Sequence, residues 1–137
     1  MPIRIGRLRK RSEFLRVAAS GRKCAVKGVV LQVRSCGTDN RHADPDTQAN
    51  VWFGITASRR VGGAVARNRV KRRLRAAAAK ILVAQGAVGH DYVLIGRQAT
   101  LTRPFPALLS DLSEAMRRVG ATRSEAAHPQ PPKQDAP

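Results

Sequence analysis

Residues 64–85 carry the pattern that most limits how this chain can fold. Val70, Leu74, Ala77, Ala78, Ile81 and Leu82 recur at helical spacing and build one apolar face. The polar positions are dominated by positive charge, above all in 67–75, which reads R-N-R-V-K-R-R-L-R. Gly62-Gly63 breaks the chain before this stretch and Gly86 closes it, so the spacing predicts one long helix over 64–85. Such a helix must bury its apolar stripe against another layer. Strand patterns on both sides make that layer a sheet.

Residues 28–35 read as a strand, with Val29, Leu31 and Val33 on one face and Val30, Gln32 and Arg34 on the other. Residues 51–58 read as a second. Val51, Phe53, Ile55 and Ala57 form its buried face, and Trp52, Gly54, Thr56 and Ser58 lie opposite. A third strand over 92–96 has the near-continuous run Val93-Leu94-Ile95, which suits a central, covered position. A short helix is expected over 12–20, with Ser12 as N-cap, Gly21 as stop and Phe14, Val17 and Ala18 as its stripe. Arg7, Arg9, Lys10 and Arg11 precede it as a basic arm. Pro104 and Pro106 introduce a last helix striped by Phe105, Leu108, Leu109, Leu112, Ala115, Met116 and Val119, with Gly120 at its end. Residues 37–50 are polar and turn-rich, and 121–137 hold nothing to bury. One domain over 1–120 is expected, with a disordered tail over 121–137.

Charge then separates the function classes. Arg59, Arg60, Arg67, Arg69, Lys71, Arg72, Arg73 and Arg75 fall within 59–75 with no Asp or Glu among them. At 100° per residue Asn68, Lys71, Arg72 and Arg75 form one polar stripe, while Arg69 and Arg73 flank the apolar face. Ordinary solvated helix faces mix signs. An unmixed stripe repels itself until a polyanion neutralises it, and a net charge of +17 over 137 residues makes nucleic acid the leading partner. A membrane-surface helix would place large apolar side chains, often Trp or Phe, opposite its cations, whereas this one has no aromatic there and backs its charges in part with Ala. No apolar run approaches the ~18 residues of a membrane span, and 1–11 lack a signal-peptide core.

Catalytic signatures do not emerge. Glu13, Asp91, Asp111 and Glu114 are dispersed, and Cys24, Cys36, His42, His90 and His128 fit no ligand or nucleophile pattern. Gly62-Gly63 precedes a helix but lacks the Lys-Ser/Thr of a phosphate-binding loop, so a turn is the expected reading. Gln32, Arg34, Trp52 and Thr56 share one sheet face, and an aromatic in a basic groove is a common way to hold single-stranded nucleic acid. Trp52 either stacks on a base or packs beneath a helix or loop. Residue pattern alone leaves both open.

The string 53–62, F-G-I-T-A-S-R-R-V-G, followed by 64–72, A-V-A-R-N-R-V-K-R, resembles the signature of the bacterial ribonuclease P protein subunit. Arg75 continues the match. Arg7-Leu8 with Phe14 and Gly21 is similar to that family's first helix, and His90-Asp91-Tyr92 to the start of its last strand. The likeness runs over about 7–120. It implies an α+β fold, a two-layer α/β sandwich of ribosomal-protein-like α-β-β-β-α-β-α order, with a left-handed crossover around the basic helix. It implies a cytoplasmic protein that binds a catalytic RNA and precursor tRNA and promotes endonucleolytic removal of the 5′ leader, leaving a 5′-phosphate. Mg2+ would be held mainly by the RNA, with at most an indirect role for Asn68.

By match of motif, Arg67, Asn68, Arg69, Lys71, Arg72 and Arg75, with Arg59 and Arg60 before them, would meet RNA. Phe14, Ala18, Gln32, Arg34 and Trp52 would line a leader cleft between the first helix and the sheet. Ala18 and Gln32 stand where the family often has aromatics, and Gly63 where Asn is common. No catalytic residue on the protein, no membrane and no obligate protein partner are expected. A structural RNA-binding protein such as a ribosomal protein is the alternative that composition leaves open. A DNA-reading helix-turn-helix is disfavoured by the flanking strands.

Overall fold

The computed structural model describes residues 5–35, 51–87 and 89–120. Its elements are β1 (Ile5–Arg7), α1 (Arg11–Ser20), β2 (Arg22–Ala25), β3 (Val29–Ser35), β4 (Val51–Thr56), a 3-10 turn (Arg59–Val61), α2 (Ala64–Gln85), β5 (His90–Gly96), α3 (Gln98–Thr102) and α4 (Phe105–Arg118). The strands form one mixed sheet in the order β1-β4-β5-β3-β2. β5 is central, parallel to β4 and antiparallel to β3. The expected 37–50 loop and 121–137 tail lie outside the described residues, as do Cys36, His42 and His128.

Alternation divides the sheet cleanly. Val29, Leu31, Val33, Val51, Phe53, Tyr92 and Leu94 point to one face and are buried there with Val70, Leu74, Ala77, Ala78 and Leu82 of α2 and Leu108, Leu112, Ala115 and Met116 of α4. This is the sheet-plus-helix sandwich that the apolar stripes demand. At Gly96 a Cβ would stand 2.3 Å from Val70 Cγ1, so α2 reaches its closest approach to β5 only over a glycine.

α1 lies on the opposite face. Leu8, Val17 and Val93 form a second small core there, with Phe14, Trp52 and Ile95 packed against it. Gly21 ends α1 because β3 passes so close that a Cβ would meet the Val33 carbonyl oxygen at 2.2 Å.

Several local expectations need correction. Ser12 is not the N-cap: α1 begins one residue earlier, and Lys10 holds that position. The Glu13 carboxylate accepts from the backbone N–H of Arg9 at 2.9 Å and of Lys10 at 3.0 Å, so an acceptor inside the first turn does the capping. The supposed basic arm is partly strand, because Ile5–Arg7 pairs in parallel with Val51–Phe53. β4 stops at Thr56, since Ser58 accepts from the Arg60 N–H and opens the 3-10 turn. β5 starts two residues earlier than the apolar run suggests, at His90. β2 pairs with β3 as a hairpin, and α3 is an additional short helix.

Candidate nucleic-acid interface

α2 sorts its residues by helical geometry. Its Val70, Leu74, Ala77, Ala78 and Leu82 are buried. Asn68, Arg69, Arg72 and Arg75 are exposed on the outer side, and Arg67 and Lys71 are half-buried at the flanks. Among the described residues no carboxylate pairs with Arg69, Arg72 or Arg75. Arg59 and Arg60 are exposed in the preceding turn, so the cationic surface starts before the helix. Gly62, at φ 142°, makes the junction.

Arg73 departs from this group. It is half-buried, its Nε donates to the Thr100 carbonyl at 2.9 Å, and its Nη2 donates to the Arg103 carbonyl. The densest cationic run therefore contains one arginine that faces protein.

The α1 face of the sheet is a grid of three rows. Strand register sets Arg34 beside Asp91 and Asp91 beside Trp52. The next row is Gln32, Val93 and Gly54, and the third is Val30, Ile95 and Thr56. Phe14 of α1 stacks over Gly54 in the middle row, where a Cβ would come within 2.5 Å of its ring. Buried Asp91 lies 3.9 Å from Arg34 Nη1, which holds that guanidinium against the sheet. Phe14, Trp52, Gln32 and Arg34 are thus brought to one surface, each half-buried. Ala18 is exposed on α1 and presents only a methyl.

Where β4 and β5 run out, this face opens into a groove of about 750 Å³. Val30, Ile95 and Val61 supply apolar lining, Lys27, Arg60 and Arg97 supply cations, and among the described residues no carboxylate lines it. Lys27, Arg97 and Gln98 do not stand out in the sequence because they lie far from the basic run, Lys27 between β2 and β3 and Arg97 and Gln98 where β5 gives way to α3. The β2–β3 hairpin and the β5–α3 connection bring them together. The Arg97 guanidinium donates to the Val26 carbonyl at 2.7 Å, and the Gln98 amide donates to the Arg60 carbonyl at 3.0 Å, so the groove wall is tied to both neighbouring turns.

The described acidic groups are absorbed by structure. Arg103 donates to both oxygens of Asp111, at 2.7 and 3.0 Å, and those bonds raise the guanidinium further above its ordinary value. Glu114 pairs with Arg118 one helical turn on. Among the described residues no three His, Cys, Asp or Glu side chains converge as metal ligands.

A cationic helix without carboxylate partners among the described residues on one side of a sheet, and a cation-rimmed apolar groove on the other, define a polyanion-binding α+β protein. The ribonuclease P family model matches residues 4–120. The chain is 46% identical over 121 residues to the ribonuclease P protein component of Paramagnetospirillum magneticum, spanning 88% of this chain and 87% of that one. It is 44% identical over 117 residues to the corresponding protein of Ruegeria pomeroyi, spanning 85% and 87%. The ribonuclease P protein from Thermotoga maritima shares the fold at TM-score 0.65 and 25% identity, over 82% of this chain and 96% of that one. The chain belongs to the ribonuclease P protein family, as the protein subunit of a ribonucleoprotein endoribonuclease that associates with ribonuclease P RNA in tRNA 5′ processing.

Proposed function

We propose that the two surfaces divide the RNA between them: the outer face of α2 lies against the catalytic RNA, and the α1 face of the sheet holds the single-stranded 5′ leader of precursor tRNA. The observation that carries this reading is the groove, which joins an apolar floor to a rim of Lys27, Arg60 and Arg97; its Ile95 belongs to the same small core as Phe14 and Trp52. Single strands are held by stacking and phosphate contact in such settings, at about 1–3 kcal/mol per stacked base. Phe14 and Trp52 supply ring surface, Gln32 an amide for a base edge, and Arg34 a guanidinium pinned by Asp91. With only a methyl at Ala18, stacking falls to the two rings.

Arg59, Arg60, Arg67, Arg69, Lys71, Arg72 and Arg75 neutralise phosphate and release counterions. Asn68 can donate and accept at once, which suits a bridge between a phosphate and a metal-bound water. In this reading Mg2+ is held mainly by the RNA, and no bond-breaking step passes through the protein. Among the described residues no helix is long and apolar enough to cross a membrane, and in this reading the protein works on tRNA in the cytoplasm.

Reconstitution tests the reading. Purified protein added to bacterial ribonuclease P RNA and precursor tRNA at low Mg2+ is expected to stimulate leader removal. Absence of stimulation would return the protein to the class of structural RNA binders.

A further inference from the structure

We propose that Arg73 is a positioning residue for the groove: it holds α3 in place, and α3 in turn sets Arg97 and Gln98 on the groove wall. The inference rests on the reading of the groove as the leader site.

A helix of five residues such as α3 has one turn, which is far below the length that holds itself together in water. Its last carbonyls have no partner inside the helix. From the side of α2, Arg73 satisfies one of these carbonyls, that of Thr100, and also that of Arg103, the residue that caps the helix. A planar guanidinium is suited to this because its donors are fixed in a fork, and its charge complements the negative end of a helix.

The other end of α3 leads to the groove. Thr100 Oγ1 accepts from the Arg97 N–H at 2.9 Å and donates to the Gly28 carbonyl at 2.6 Å, so one hydroxyl fastens the turn to both the groove wall and the β2–β3 connection. Arg97, Gln98 and Ala99 line the groove. Among the described residues, Arg73 is the α2 side chain that reaches α3 by hydrogen bonds. Its place within the 67–75 run hides this role, because its neighbours Arg72 and Arg75 face outward.

The test uses holoenzyme reconstituted with Arg73→Gln, Arg73→Lys, Arg97→Ala and the Arg73→Gln/Arg97→Ala double variant. Two quantities are read: the salt slope of binding to the catalytic RNA, and the ratio of precursor to mature tRNA affinity. Arg97→Ala is expected to lower the ratio. Arg73→Gln should lower it roughly tenfold, the scale of a lost charged hydrogen bond, with the salt slope unchanged. Arg73→Lys should recover part of the ratio. The double variant should be no worse than the worse single, because both act on one wall. A purely structural role would leave the ratio intact at temperatures where the variant is folded.

A salt slope reduced by about one contact in Arg73→Gln would put this residue on RNA and overturn the proposal. So would an unchanged ratio, or a double variant in which the two losses simply add. If Arg97→Ala itself leaves the ratio intact, the groove reading falls and the proposal with it. If Arg73→Gln does not fold, Arg73→Lys decides on the same ratio.

Discussion

Gly54 lies directly beneath Phe14: a Cβ at this glycine would stand 2.5 Å from both Cε2 and Cζ of the ring. The contact joins the middle of β4 to α1 and fixes how closely the first helix approaches the sheet. Gly54→Ala should force the ring outward, at about 1–3 kcal/mol for an overpacked site. Thermal unfolding should show a lower Tm, together with weaker precursor tRNA binding. An unchanged Tm would mean that the ring moves away freely and sets no cleft geometry.

Trp52 shares its face with Phe14 and Gln32 and is only half-buried, so part of its ring is open to a base. Trp52→Ala is expected to reduce preference for precursor over mature tRNA by about fivefold, the low end of one stacked base. The measurement is the two affinities side by side. Equal losses for both RNAs would make Trp52 a packing residue.

Arg72 and Arg75 stand on the outer side of α2 without carboxylate partners among the described residues. Arg72→Ala or Arg75→Ala should weaken binding to the catalytic RNA and reduce the magnitude of the log–log salt slope by about 0.7–0.9, one phosphate contact. A slope equal to wild type removes that residue from the interface.

Leu74 sits between these two arginines in sequence but faces the core, where it is 1% exposed. Leu74→Ala should cost about 2–5 kcal/mol of stability by leaving a cavity. At a temperature where the variant is folded, its salt slope should match wild type. Denaturant unfolding and RNA binding together check that packing and binding occupy different faces of one helix.

The longest elements were legible in the sequence because their patterns are long. α2 was readable to the residue, since its stripe from Val70 to Leu82 repeats over several turns and glycines bound it at both ends. The two faces of β3 and β4 followed from strict alternation. β1, β2 and α3 were not legible: Ile5–Arg7 is a strand because β4 offers it an edge, and Gln98–Thr102 is a helix because Arg73 and Thr100 anchor its ends. The α2 stripe of the candidate site was legible by periodicity. The groove was not, because Lys27, Arg60 and Arg97 meet only through tertiary pairing. Arg73 shows the converse error, a cation that charge alone would assign to RNA.

The central claim is that opposite faces of the sheet meet different RNAs. A photo-crosslinking side chain at Gln32 and another at Arg72, each in reconstituted holoenzyme with precursor tRNA, tests it most directly. The account predicts crosslinks from position 32 to leader nucleotides, lost when mature tRNA replaces the precursor, and from position 72 to the catalytic RNA whichever tRNA is present. Crosslinks from position 32 to the catalytic RNA alone, or to tRNA regardless of the leader, would contradict it.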